Sequence, residues 1–139
     1  MANERAIEIL NKLLDAEHLS FIQRLSEACP FVSGPEASQW AMVGEMVAAA
    51  EARQRELTQL ILKLRGSPVP PRRAADTTSI HYVKLSFLMP KIIAAVRELV
   101  QLYTSAGRTG NADADSLVGR SLADHKRFLA EIERSQAPR

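Results

Sequence analysis

The sequence predicts an all-α protein: one domain, residues 1–139, folded as an antiparallel, up-down bundle of four helices. Three observations carry this expectation. The chain has 139 residues, the length of a single domain. Leu and Ala dominate while Phe, Trp and Tyr make up only 5%, a balance that favours helices over sheets. Apolar residues recur at three- and four-residue spacings in four long segments, and strand-like alternation is absent. With 46% hydrophobic residues, a chain of this size can bury a core without staples.

The first segment runs from about Asn3 to Ala28, with Ile7, Leu10, Leu13, Leu14, Phe21, Leu25 and Ala28 at helical spacing. Pro30 stops it. "PFVSGPEAS" is a loop, in which Ser33 or Gly34 precedes Pro35 at the next helical turn and Glu36 suits the helix dipole. The second helix carries Met46, Ala50, Leu57, Ile61 and Leu64 on one side, with Gly66 as its left-handed cap and Pro68 as a stop. The third begins near "DTTS", capped by Asp76, Thr77 or Thr78, and ends at Gly107. Pro90 falls inside it and is expected to bend or split it. The fourth covers about Asp113 to Ser135, through Leu117, Val118, Leu122, Phe128 and Ile132. The link after the second helix is the longest. About ten residues can hardly climb a whole helix, so antiparallel neighbours are expected throughout.

Polar residues interrupt these apolar stripes. Glu17 continues Leu10, Leu13 and Leu14 toward Phe21. Arg53 sits between Ala50 and Leu57, His81 precedes Leu85, and His125 falls between Val118 and Phe128. Glu17, Arg53, His81 and His125 therefore form a candidate polar core. A buried charge needs a partner, and Glu17 against Arg53, with the histidines hydrogen-bonded alongside, supplies one. The competing reading is a metal site of Glu17, His81 and His125 holding iron, manganese or zinc, with water or Asp124 completing it. An inward arginine opposes that reading, because it is a fixed cation with no acceptor. His18 is expected on the flank, and Asp124 pairs locally with Arg120 or Arg127.

Other chemistry is thin. The formal charge of +2, without a basic face or aromatic platform, gives no case for nucleic acid. Cys29 is the single cysteine, which excludes an intrachain disulfide. It adjoins Pro30 at a helix end, where the dipole does not activate a thiol. No stretch reaches the length of a membrane span, and "MANERAIEIL" reaches charged residues at once. A cytoplasmic setting is the simplest expectation. A ligand cleft around His81, Tyr82 and Tyr103 is a further, weaker possibility.

Taken together, "LNKLLDAEHLSFIQRLSEACPFVS", "LILKLRGSPVPPR", "SIHYVKLSFLMPKI", "LVQLYTSAG" and "SLADHKRFLAEIE" resemble small bacterial ferritin-like proteins. The resemblance spans about residues 9 to 134 and implies a ferritin-like four-helix bundle. In metal-binding relatives the first helix gives a Glu, matched by Glu17. The second gives Glu-x-x-His, which falls on Ala50-x-x-Arg53, so both ligands are absent. The fourth gives Glu-x-x-His, which falls on Leu122-x-x-His125. His81 is the nearest match to the third helix's ligand. The resemblance therefore implies a scaffold whose di-metal centre is degenerate.

Two functions compete. One is a non-catalytic bundle that acts through self-association or protein partners, as a symmetric homodimer across the third helix. Its motivation is Val83, Phe87, Ile93 and Val100, which lie off that helix's narrow inner stripe. The other is a metalloprotein with one iron, manganese or zinc ion and redox or oxygen-related chemistry. The missing ligands favour the first, with no cofactor and no catalysis.

Overall fold

A computed structural model describes residues 3–25, 30–72 and 83–136. Among these the fold is an all-α, multi-helix bundle without a sheet; the sole strand-like feature is an isolated bridge between Phe31 and Lys84. The helices are α1 (Glu4–Leu19), α2 (Phe21–Arg24), α3 (Ala37–Lys63), α4 (Leu85–Ser105) and α5 (Ala112–Ser135). A 3-10 turn, Gly34–Glu36, leads into α3. None of them is long and apolar enough to cross a membrane. Cys29, His81, Tyr82 and the expected caps Asp76, Thr77 and Thr78 lie outside the described residues.

The first helix is not continuous, as the spacing had suggested. Ser20 adopts extended backbone, and its Oγ accepts a hydrogen bond from the Ile22 amide at 3.2 Å. A serine that bonds its own backbone competes with the helix ladder, and here it breaks α1 from α2. The turn before α3 is held by Glu36, whose carboxylate accepts from the Ser33 amide at 3.0 Å and the Ser33 hydroxyl at 2.8 Å. Those bonds, the amide's first, hold Glu36 below its ordinary pKa; the Ser86 amide at the start of α4 adds to them.

Before α4, the backbone of 83–85 is spent on Phe31. The Phe31 amide donates to Val83 O at 2.8 Å, and the Leu85 amide donates to Phe31 O at 2.9 Å. Helical structure therefore starts at Leu85. Pro90 does not split α4, which runs unbroken to Ser105. It occupies the second turn, where its missing amide forfeits one ladder bond near the helix start. Gly107, at φ +66°, closes the helix as expected, and Asn111 Oδ1 caps α5 by accepting from the Ala114 amide at 3.0 Å.

The direction of the helices departs from the expected antiparallel order. Gln39, near the start of α3, donates to Ser135 O at the end of α5, while Lys63 at the end of α3 meets Asp113 at the start of α5. These two helices are antiparallel. Asn3 and Asn111 bring the starts of α1 and α5 together. Leu85 and Leu88 pack with Val43, Met46 and Ile132, whereas Tyr103 packs with Leu57, Ile61 and Leu117. So α4 runs the same way as α3, which requires the chain between them to return along the bundle. The expected ten-residue link rested on starting the helix near Asp76. Residues 64–84, at up to about 3.4 Å each, reach roughly 70 Å, well beyond the ~40 Å length of a 27-residue helix.

The first part of this link is strapped to α1. Asn11 donates to Ser67 O at 3.0 Å and accepts from the Val69 amide at 2.9 Å. One turn further along, Asp15 takes two bonds from Arg72, at 2.9 and 2.6 Å, and that hydrogen bonding holds its pKa below the ordinary value. The strap begins in a cap that differs from expectation by one residue. Arg65, not Gly66, takes the left-handed conformation, at φ 68°. Gly66 N donates to Ile61 O and Arg65 N to Leu62 O, the paired bonds of a Schellman ending. Gly66 is needed for space: a Cβ there would stand 2.7 Å from Ile7 Cγ2 and 3.0 Å from Ile61 Cγ2.

Two substitutions separate these demands. Gly66→Ala should lose about 1–3 kcal/mol, because β-branched Ile7 and Ile61 have little rotamer freedom to give way. Arg65→Gly should gain about 1 kcal/mol by relieving the left-handed strain. Urea midpoints for both variants check the pair, and a neutral Gly66→Ala would contradict the close approach.

Candidate functional site

The core divides into two apolar clusters. One gathers Ile22, Leu25, Val43, Leu88, Ile92 and Phe128 among others; the second gathers Leu10, Leu14, Leu57, Ile61, Leu117 and Val118. The junction is polar. In sequence Glu17 falls between Leu14 and Ile22, Arg53 between Ala50 and Leu57, and His125 between Val118 and Phe128. The helical spacing that interrupts each stripe thus interrupts them all at one level, and the side chains meet.

Arg53 Nε donates to both Glu17 oxygens, at 3.2 Å to Oε1 and 3.0 Å to Oε2. His125 Nε2 stands 2.9 Å from Oε1. A carboxylate only accepts, so the hydrogen of this contact sits on Nε2. Glu17, Arg53 and His125 are 1%, 6% and 3% exposed, which places the ion pair out of water. Burial is the largest influence on Glu17 and pushes its pKa up. The His125 hydrogen bond and the Arg53 charge together outweigh it, and the carboxyl is held below its ordinary value.

α4 completes the layer with Tyr103. Its ring lies 5.1 Å from that of His125, tilted by 50°. Its hydroxyl is buried and near Ser121 and Arg53, but no described group meets it with hydrogen-bond geometry. Burial, followed by the Glu17 charge, drives the phenol far above its ordinary pKa, so it stays a neutral hydroxyl. Ser121, one turn before His125 on α5, is buried too. Sequence reasoning did not assign Tyr103 to the layer. The available signal was its three-four spacing from Val96 and Leu99 on the inward stripe.

Glu17, Arg53 and His125 are brought together; His81 lies outside the described residues. Tyr103 is core, not the wall of an open cleft. Asp124 faces away from the layer, 3.9 Å from Arg127. His18 is buried at 9% exposure, where a surface flank was expected. It lines a shallow groove between α1 and α3 with Glu51, Gln54 and Arg55. Among the described residues no group of three or more His, Cys, Asp or Glu side chains is placed to hold a metal ion. The donor set at the layer does not suit one either. Both Glu17 oxygens already accept from a guanidinium, and a dication beside Arg53 would be repelled.

No family model, no curated protein and no solved structure matches this chain.

Removing one member of the pair strands the other in the core. Arg53→Met should cost roughly 3–5 kcal/mol, and Glu17→Leu with Arg53→Met should recover at least half of it. A thermodynamic cycle by chemical denaturation measures both. Glu17 has a folded-state pKa below its unfolded value near 4.5, so its contribution is complete above that pH and drains as the pH falls through the folded pKa. Stability measured from pH 7 to 3 should fall less steeply for Glu17→Gln than for the parent chain.

Proposed function

We propose that this chain is a ferritin-like helical bundle with no di-metal centre, which acts through contacts between proteins, self-association first, and not through catalysis. The observation that carries this reading is Arg53 on Glu17, at 3.0 Å and buried, in the middle of the bundle. Where metal-binding relatives of the ferritin-like kind place Glu-x-x-His on the second helix, this chain has Ala50-x-x-Arg53, and both residues face inward. The guanidinium fills the space and the charge role that a cation would otherwise take against Glu17.

The path of the chain supports the scaffold half of the proposal. Four long helices with one long crossover, between the second and third, is the connection of ferritin-like folds. Here α3 and α4 run the same way, so the chain between Lys63 and Leu85 has to make that crossover. The chemistry of the layer supports the other half. Its carboxylate is engaged, its tyrosine is held neutral, and the histidine spends Nε2 on Glu17. Glu17, Arg53 and His125 answer each other, which leaves the surface as the working part.

The test is metal content and metal affinity. Protein purified without chelator should carry well under one equivalent of iron, manganese or zinc. Titration calorimetry with each ion should show no stoichiometric site. One bound ion per chain, lost in Glu17→Gln, would overturn the proposal.

A further inference from the structure

α4 has a second face, turned away from the core. Phe87, Lys91, Ala94, Glu98 and Leu102 are all exposed, and steps of four, three, four and four keep them on one side of the helix. The apolar members are well out in water, Phe87 at 57% and Leu102 at 41%. Val83, Ile93 and Val100, which the sequence also offered as surface, are half-buried against the core. Neither Lys91 nor Glu98 forms an ion pair with a described residue, although Lys91 lies 4.9 Å over the Phe87 ring. Arg97, just beside this face, is by contrast tied to Glu133.

The order of residues along the face is what matters. It reads aromatic, cation, small, anion, aliphatic. Turned end for end, each element meets its complement. Lys91 faces Glu98 of a second copy and Glu98 faces Lys91. Phe87 faces Leu102, and Ala94 lies beside Ala95 at the centre. A parallel copy would set Lys91 against Lys91 and Glu98 against Glu98, which is repulsive. Small side chains at the centre allow two helices to approach at the short end of the usual 8–10 Å range.

We propose that α4 is the two-fold interface of a homodimer, packed antiparallel on its own copy with the axis at Ala94 and Ala95. This rests on the reading of the chain as a self-associating bundle, and adds the face, the direction and the register. Lys91, Ala94, Glu98 and Leu102 also form one wall of a groove of about 690 Å³ between α4 and the α1–α2 segment, whose other wall includes Leu19 and Phe21. It receives the large side chains of the second copy. A 21-residue helix is about 30 Å long, so the face and the groove beside it run along most of the bundle.

Analytical ultracentrifugation of the full chain over a concentration series tests it. The parent chain should show a monomer–dimer equilibrium that weakens in high salt. Lys91→Glu and Glu98→Lys alone should each raise the dimer dissociation constant at least about tenfold, since symmetry repeats every lost pair. The combined Lys91→Glu/Glu98→Lys variant should return to within a few-fold of the parent. Ala94→Arg should abolish the dimer. All three positions are exposed, so far-UV circular dichroism spectra should match the parent and exclude misfolding, while the melting temperature falls toward that of the diluted parent. A dimer indifferent to these changes would overturn the α4 interface while leaving self-association standing. A parent chain that stays monomeric throughout would overturn both.

Discussion

The contact between Glu17 and the Arg53 guanidinium is the constraint on which the bundle's register depends. The apolar clusters on either side of it are rich in Leu, Ile and Ala, and such cores tolerate repacking provided that volume and patterning are kept. A buried carboxylate and guanidinium tolerate none. If α3 slid one turn along α1, about 5.4 Å, Arg53 would face an apolar cluster and Glu17 would lose its cation. The same holds for α5 through His125. Glu17 therefore ties three helices at one height. An apolar replacement of similar volume would pack as well, but it would not penalise the alternatives; the pair's contribution is to uniqueness of arrangement more than to net stability.

That height is consistent with the path of the chain. The strap 67–72 leaves the end of α3 and follows α1 from Asn11 toward Asp15, the direction in which the crossover must travel. Asn11 serves the strap's backbone as a neighbouring strand would, giving one donor and one acceptor. Gly66 lets that strap start close against Ile7. These are local devices, but their effect is global. They help return the chain to the end of the bundle where α4 can begin beside Phe31, and so make α3 and α4 parallel. Close packing between α4 and α5 then follows from a short connection, 106–111, braced by Thr109 on Asp115 and by Asn111.

Much of this was legible in the sequence, for a physical reason. Inward positions repeat every three or four residues, so a charge placed on such a stripe announces itself. Glu17, Arg53 and His125 were each found that way, and the partnership of Glu17 with Arg53 follows from the cost of burying either alone. Four features were not legible. Ser20 reads as one polar residue in a helix until its hydroxyl is seen on the Ile22 amide. The start of α4 is set by bonds to Phe31, more than fifty residues away in sequence, and no local signal at Lys84 reports it. The direction of α4 followed from that error, because a short link and a long one choose opposite topologies. His18 was misplaced by a subtler route. It lies one position round from Glu17, and a groove against α3 encloses it that periodicity on α1 alone does not reveal.

Where the polar chemistry of a bundle is spent inward, its outward chemistry becomes informative. The layer around Glu17 has one anion, a fixed cation on both its oxygens, and an imidazole on one of them. It presents no open coordination position and no exposed nucleophile. The outer face of α4 has the opposite character: Lys91 and Glu98 form an ion pair with none of the described residues and its two large apolar groups are wet. An apolar residue in water is common and needs no explanation singly. An aromatic, a cation, a small residue, an anion and an aliphatic residue on one helical line, each complementary to its counterpart on reversal, are a different case. Solvent alone places no premium on that order, whereas a two-fold partner requires it.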